Sequence, residues 1–150
     1  MNTISGFGMD TITLNGSLSA KLEAMREAGF EQVMLMARDL VSHPGGVDAA
    51  VQVVHDCGMR PTGFQVLRDF EGLSGHLHEY KVDIAKAMLQ MCAATGAQTL
   101  LACSSSLRHA SQDTDHIVAD LRKLAMLALP LGIRVRSEEH TSELQSHLNL

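Results

Sequence analysis

A cation, two carboxylates and an aromatic ring follow directly on an apolar run in Gln65-Val66-Leu67-Arg68-Asp69-Phe70-Glu71-Gly72. This succession could hold a small anion. A guanidinium grips a carboxylate or phosphate through two parallel N–H donors, and the Gln65 amide can both donate and accept. The plainer alternative is a loop ion pair of Arg68 with Asp69 or Glu71. A second polar group, Ser104-Ser105-Ser106, follows another apolar run. Its hydroxyls could bind a polyol or carboxylate, although serines in such places also serve turns and helix caps. Gln65, Arg68 and Ser104 are therefore the candidate substrate-binding residues.

The histidines offer less. His76 and His78 form an HxH near a helix start and read as a solvated face, and His55 reads as surface. His109 falls in a loop beyond an apolar run, where a ligand could reach it. No HExxH, no Cys/His zinc spacing and no glycine-rich phosphate loop occurs, so these residues by themselves specify no metal ligand and no catalytic group. Cys57, Cys92 and Cys103 form no CxxC and are expected as free thiols. Met34, Met36, Met88 and Met91 read as core filler.

What must position these groups is written in glycines. Four helix-like segments each end at a glycine that precedes an apolar run: Gly29, Gly58, Gly96 and Gly132, at intervals of 29, 38 and 36 residues. Glycine takes the left-handed conformation past a helix end without a Cβ clash. Each interval can hold one strand, one loop and one helix. The helices show steps of three and four: Leu18, Leu22, Met25; Val47, Val51, Val54; Tyr80, Ile84, Ala87, Met91; and Ile117, Leu121, Leu124, Ala128. Ser17 and Thr114 are the expected N-caps of the first and last, and Pro130 should end the last near Ala128. The expected strands are 9–14, 32–36, 62–67 and 99–103, with a fifth beginning at Ile133. Uninterrupted apolar runs suit parallel strands covered on both faces.

Strand–helix alternation means an α/β fold. Two architectures fit: a complete five-strand, doubly wound domain of flavodoxin-like type, acting as a non-catalytic binding or signalling module, or the first half of a (β/α)8 TIM barrel, with four βα units and the start of a fifth strand. In both, ligands bind at the carboxyl ends of strands, where Thr13, Asn15, Arg38, Asp39, residues 65–72 and Ser104–Ser106 fall. The module would show an acidic cluster or phosphate loop at its switch point. Neither is visible, since Asp10 precedes its strand core and Asp39 stands alone in a loop.

The formal charge of −5 carries −2 from residues 136–150, leaving −3 for 1–135. A mildly acidic chain without a basic stripe is a poor nucleic-acid binder. The N-terminus shows no basic segment followed by an apolar run. The most apolar stretch, 124–133, is too short to span a bilayer and contains Pro130. A cytoplasmic protein with no nucleic-acid or membrane partner is expected.

Three segments carry a family resemblance. FQVLRDFEG at 64–72, LLACSSS at 100–106 and GIRV at 132–135 resemble the xylose-isomerase-like TIM-barrel superfamily, as does LNGSLSAKLEAMREAGFEQV at 14–33. Within it the chain is most similar to sugar phosphate isomerase/epimerase proteins of the 3-dehydroshikimate dehydratase type, some of which are fused to a 4-hydroxyphenylpyruvate dioxygenase-like domain. The resemblance spans about 9–135. It implies an enzyme with a divalent metal (Mg, Mn or Co) that polarises a substrate carbonyl while a base removes the adjacent proton. The substrate would be a sugar phosphate or 3-dehydroshikimate, and the dehydratase would lose water to give protocatechuate. It also implies that Arg68 binds the substrate carboxylate, and that the metal ligands lie at the ends of later strands.

Residues 136–147, RSEEHTSELQSH, resemble a sequencing-library adapter translated in one frame. A natural polar helix capped by Thr141 or Ser142, with Leu144 and Leu148 on one face, is the other reading. On the adapter reading, 1–135 is the N-terminal part of a truncated barrel and 136–150 an artefactual tail. Glu138 then falls by coincidence of register where the family's first metal-ligating glutamate belongs. A single carboxylate cannot assemble a site of about six ligands. The expectation is a catalytically inactive chain that holds no metal itself and self-associates, derived from an active parent.

Overall fold

A computed structural model of the chain describes residues 6–138. Its elements run β1 (Gly8–Asp10), α1 (Leu18–Glu27), β2 (Gln32–Met36), α2 (Ala37–Val41), α3 (Gly46–Asp56), β3 (Arg60–Arg68), α4 (Gly75–Thr95), β4 (Thr99–Cys103), α5 (Thr114–Ala128) and β5 (Arg134–Glu138). All strand pairs are parallel, and their spatial order is the sequence order, β1-β2-β3-β4-β5. That order decides between the two architectures. A doubly wound sheet reverses direction after its first strands, whereas a barrel adds each strand beside the last. Right-handed crossovers in one unbroken direction put every helix on the same face. The flavodoxin-like alternative is thus overturned, and the chain has the topology of the first half of a (β/α)8 barrel.

Strands β2 and β4 and the glycine punctuation match expectation. Gly29, Gly58, Gly96 and Gly132 all have φ between 66° and 90°. Helix α1 is capped by Ser17, whose hydroxyl accepts from the Ala20 amide at 3.3 Å, and buries Leu18, Leu22 and Met25. Helix α5 ends at Ala128 and passes into a 3-10 turn containing Pro130.

Other expectations are corrected. The first strand stops at Asp10 rather than 14, because the Asp10 carboxylate accepts from the Ile12 amide and the Thr13 hydroxyl donates to the Asp10 carbonyl at 2.7 Å. These local bonds win over the ladder and wind Thr11–Thr13 into a 3-10 turn. The cap of α5 is Asp113, not Thr114. The long helix α4 buries Val82, Ala85, Leu89 and Cys92, while Tyr80 is exposed and Ile84 and Met91 only flank the core. Both stripes have helical spacing. The one containing Ala85 and Cys92 wins because small side chains let the helix sit close to the sheet. In β2, Val33 and Leu35 are buried while Gln32, Met34 and Met36 are half-buried. Coverage there is therefore one-sided, not the two-sided coverage expected.

The core between sheet and helices includes Leu22, Met25, Leu35, Phe64, Leu89, Leu100 and Leu124. Cys92 sits within it, and burial pushes its thiol up to about 11 from 9.0. A folded-state value above the unfolded one gives stability that is present below pH 9 and lost as pH rises through about 11. Iodoacetamide at pH 8 should label half-buried Cys57 first and reach Cys92 only on unfolding. Equal labelling rates in the folded chain would contradict the packing.

Candidate functional site

The carboxyl ends of β1, β3 and β4 bring the candidate residues together on one rim. Gln65 is buried, and its Nε2 donates to Asp10 Oδ2 across the top of the sheet. Asp10 therefore ends its strand at the site and does not precede a strand core. The sequence signal was available in the turn-forming Asp10-Thr11 pair, which favours local hydrogen bonding over extension.

Three residues on, Arg68 is exposed at the last position of β3, and its guanidinium makes no hydrogen bond or ion pair among the described residues. Neither alternative ion pair forms. Asp69 and Glu71 instead reach across to the loop after β4. Asp69 Oδ1 accepts from the Ser106 amide at 2.9 Å, and Glu71 Oε1 accepts from the Ser105 amide at 2.5 Å. The serine triplet thus divides. Ser105 and Ser106 serve structure through their backbone amides, while Ser104 remains exposed beside Cys103 at the end of β4. Asp69 adopts φ 54°, a left-handed conformation that turns the chain sharply after Arg68.

The same loop is held from behind. Gly72 donates to buried Asp120 Oδ2 on α5 at 2.9 Å, and its carbonyl accepts from the Ser111 amide at 2.7 Å. Its φ is 76°, and a Cβ there would sit 2.9 Å from the Ser111 carbonyl oxygen, so the close approach requires glycine. The HxH pair also divides. His76 is solvated, as expected. His78 turns inward instead, with Nδ1 3.7 Å from Asp120 Oδ1, Nε2 3.1 Å from Lys123 Nζ, and its ring against Phe70. His116 adds a contact of 3.5 Å to Asp120 from the preceding turn of α5. His55 is exposed but bonds the Ala94 carbonyl, and His109 is exposed in the β4–α5 loop.

On the β1–β2 side, Asp39 does not stand alone in a loop. It lies in α2 and pairs with Lys21 Nζ at 2.8 Å. Strand β5 continues through Arg136 and Ser137 to Glu138, whose backbone lies opposite Cys103 at the carboxyl rim. Residues 139–150, where most of the adapter-like run falls, lie outside the described residues. Among the described residues no three His, Cys, Asp or Glu side chains come together in a way that could hold a metal ion. No helix among them is long and apolar enough to cross a membrane.

The 3-dehydroshikimate dehydratase of Pseudomonas putida is 34% identical over 128 residues, covering 85% of this chain and 20% of that protein. A solved xylose isomerase-like TIM barrel/4-hydroxyphenylpyruvate dioxygenase fusion protein superposes with a TM-score of 0.80 at 32% identity, over 88% of this chain and 21% of its own. The IolI protein with a bound zinc atom superposes at 0.72 and 19% identity, over 88% of this chain and 50% of its own. The chain therefore spans about a fifth of the length of the curated relatives it matches. No family model matches.

Proposed function

We propose, from the premise that this chain is the first half of a xylose isomerase-like (β/α)8 barrel related to 3-dehydroshikimate dehydratases, that it carries the carboxylate-binding side of the substrate site and does not catalyse by itself. The observation that carries this reading is the Arg68 guanidinium, which no described residue engages. It stands at a strand end whose neighbouring carboxylates, Asp69 and Glu71, are both engaged elsewhere. An arginine kept free of local acids can bind an external one.

Gln65 lies three residues earlier on β3, Ser104 follows the register partner of Arg68 on β4, and both suit the hydroxyl and carbonyl groups of 3-dehydroshikimate or a sugar phosphate. The Gln65 amide is oriented by Asp10, which leaves its carbonyl oxygen as an acceptor. The cross-bridged loops after β3 and β4 fix these groups relative to each other before a ligand arrives, which lowers the ordering cost of binding.

The family resemblance and the zinc-bearing neighbour point to a divalent cation in the intact enzyme. The described residues do not fit one. Asp10, Asp69 and Glu71 are each engaged with other partners, and no set of three donors converges. The chemistry assigned to this chain is binding and orientation. Proton abstraction and loss of water need groups on later strands.

Isothermal titration with 3-dehydroshikimate tests this. Arg68→Ala should weaken binding about tenfold or more, about 1.4 kcal/mol, as for a lost charge-assisted contact. The chain with Mg2+ or Mn2+ should give no protocatechuate. Unchanged affinity in Arg68→Ala would remove the carboxylate-binding role, and turnover would remove the claim of inactivity.

A further inference from the structure

A cavity of about 380 Å³ lies between the β1–α1 loop and α2, lined among others by Ile12, Asn15, Lys21, Arg38, Asp39 and Ser42. It shares no lining residue with Gln65, Arg68 and Ser104. Its wall contains a buried ion pair. The side chains of Lys21 and Asp39 are only 9% and 10% exposed and meet at 2.8 Å. That bond uses one carboxylate oxygen. The other, Asp39 Oδ2, is buried and has no hydrogen-bond partner among the described residues. A buried carboxylate oxygen without a donor is rare and calls for one. Around it, Lys21 and Arg38 outnumber Asp39 by one positive charge. Asn15 and Ser42 supply further donors.

We propose that this cavity binds a small hydroxylated anion, a polyol phosphate or hydroxycarboxylate, at a site separate from Arg68. A small shift of the cavity wall lets a ligand hydroxyl reach Asp39 Oδ2, donate to it and complete its hydrogen bonding. The anionic group lies toward Arg38 and Asn15, where the excess positive charge sits. Lys21 fixes the Asp39 carboxylate in place through its other oxygen. Recognition therefore needs both features in one molecule. An inorganic anion lacks the carbon-bound hydroxyl in the right relation, and a neutral polyol lacks the charge.

Isothermal titration of the full chain with glycerol 3-phosphate, inorganic phosphate and glycerol reads this directly. Hydrogen exchange measured by mass spectrometry locates the contact. Glycerol 3-phosphate should bind at least tenfold more tightly than either control and slow exchange in residues 36–43. Arg38→Ala, at an exposed position, should weaken binding at least tenfold while leaving the fold intact. Asp39→Asn should abolish the preference for glycerol 3-phosphate over phosphate. Arg68→Ala removes any glycerol 3-phosphate held at the site proposed above but should leave the slowed exchange in residues 36–43 and its dependence on Arg38 unchanged, which separates the two sites. Equal binding of glycerol 3-phosphate and phosphate, no saturable binding, or an unaffected Arg38→Ala variant would each overturn the proposal. Loss of the slowed exchange in residues 36–43 in Arg68→Ala would overturn its separateness.

Discussion

Asp120→Ala is expected to cost about 2–3 kcal/mol and to release the loop that carries Arg68. The carboxylate is buried at 6% exposure and accepts the Gly72 amide at 2.9 Å. Deleting it leaves that N–H without a partner, and a stranded buried donor costs about 1–3 kcal/mol. The two nearby histidines lose the carboxylate they lie against at 3.7 and 3.5 Å. Gly72 cannot move to find another partner, because its carbonyl is tied to the Ser111 amide and its Cα lies against the same residue. The loss should spread along the loop to the Glu71–Ser105 and Asp69–Ser106 bridges. Amide exchange at Gly72, Ser105, Ser106 and Ser111 should quicken by about tenfold or more, with the β2 amides unchanged. Asp120→Asn keeps a carbonyl oxygen for Gly72 and should recover about half the loss. A denaturation midpoint and exchange pattern like those of the parent chain would remove Asp120 from this role.

The elements with the strongest periodicity were legible in the residues. Leu18, Leu22 and Met25 allow one buried face, and the four glycines fix where each helix must stop. Strand order was not legible, because both architectures use the same βα units and differ only in which edge each new strand joins. Nor was the loop network. Arg68, Asp69 and Glu71 are neighbours in sequence, so a local ion pair was the simple expectation. The Asp69 turn sends its carboxylate and that of Glu71 to amides more than thirty residues away. His78 and Asp120 stand 42 residues apart, and only the packing of α4 beside α5 makes them partners. Asp10 was misplaced for the opposite reason. Its effect is local, a side chain capturing an amide two residues on, and the apolar pattern across 9–14 concealed it.

Self-association is the other large effect expected, and it follows from the sheet. Among the described residues β1 pairs only with β2 and β5 only with β4, so both outer strands present unpaired backbone groups. Such edges recruit other strands unless they are blunted. The half-buried Met34 and Met36 add apolar surface on the sheet face turned away from the core. Closing a barrel removes both liabilities at once, and a second copy can do so in part. Light scattering coupled to gel filtration should therefore give a dimer or larger species at micromolar concentration. Met34→Lys tests which surface is responsible. Met34 lies over Gly63 of the neighbouring strand, with its methyl 2.8 Å from where a Cβ would stand. A lysine can replace it without filling the core, but its charge makes burial of that face against a partner costly. The variant should shift toward monomer if the sheet face is the contact, and stay associated if only the strand edges are. A monodisperse monomer with a cooperative melt in the unmodified chain would mean that its edges and open face are already covered. The half-barrel would then be an independent folding unit.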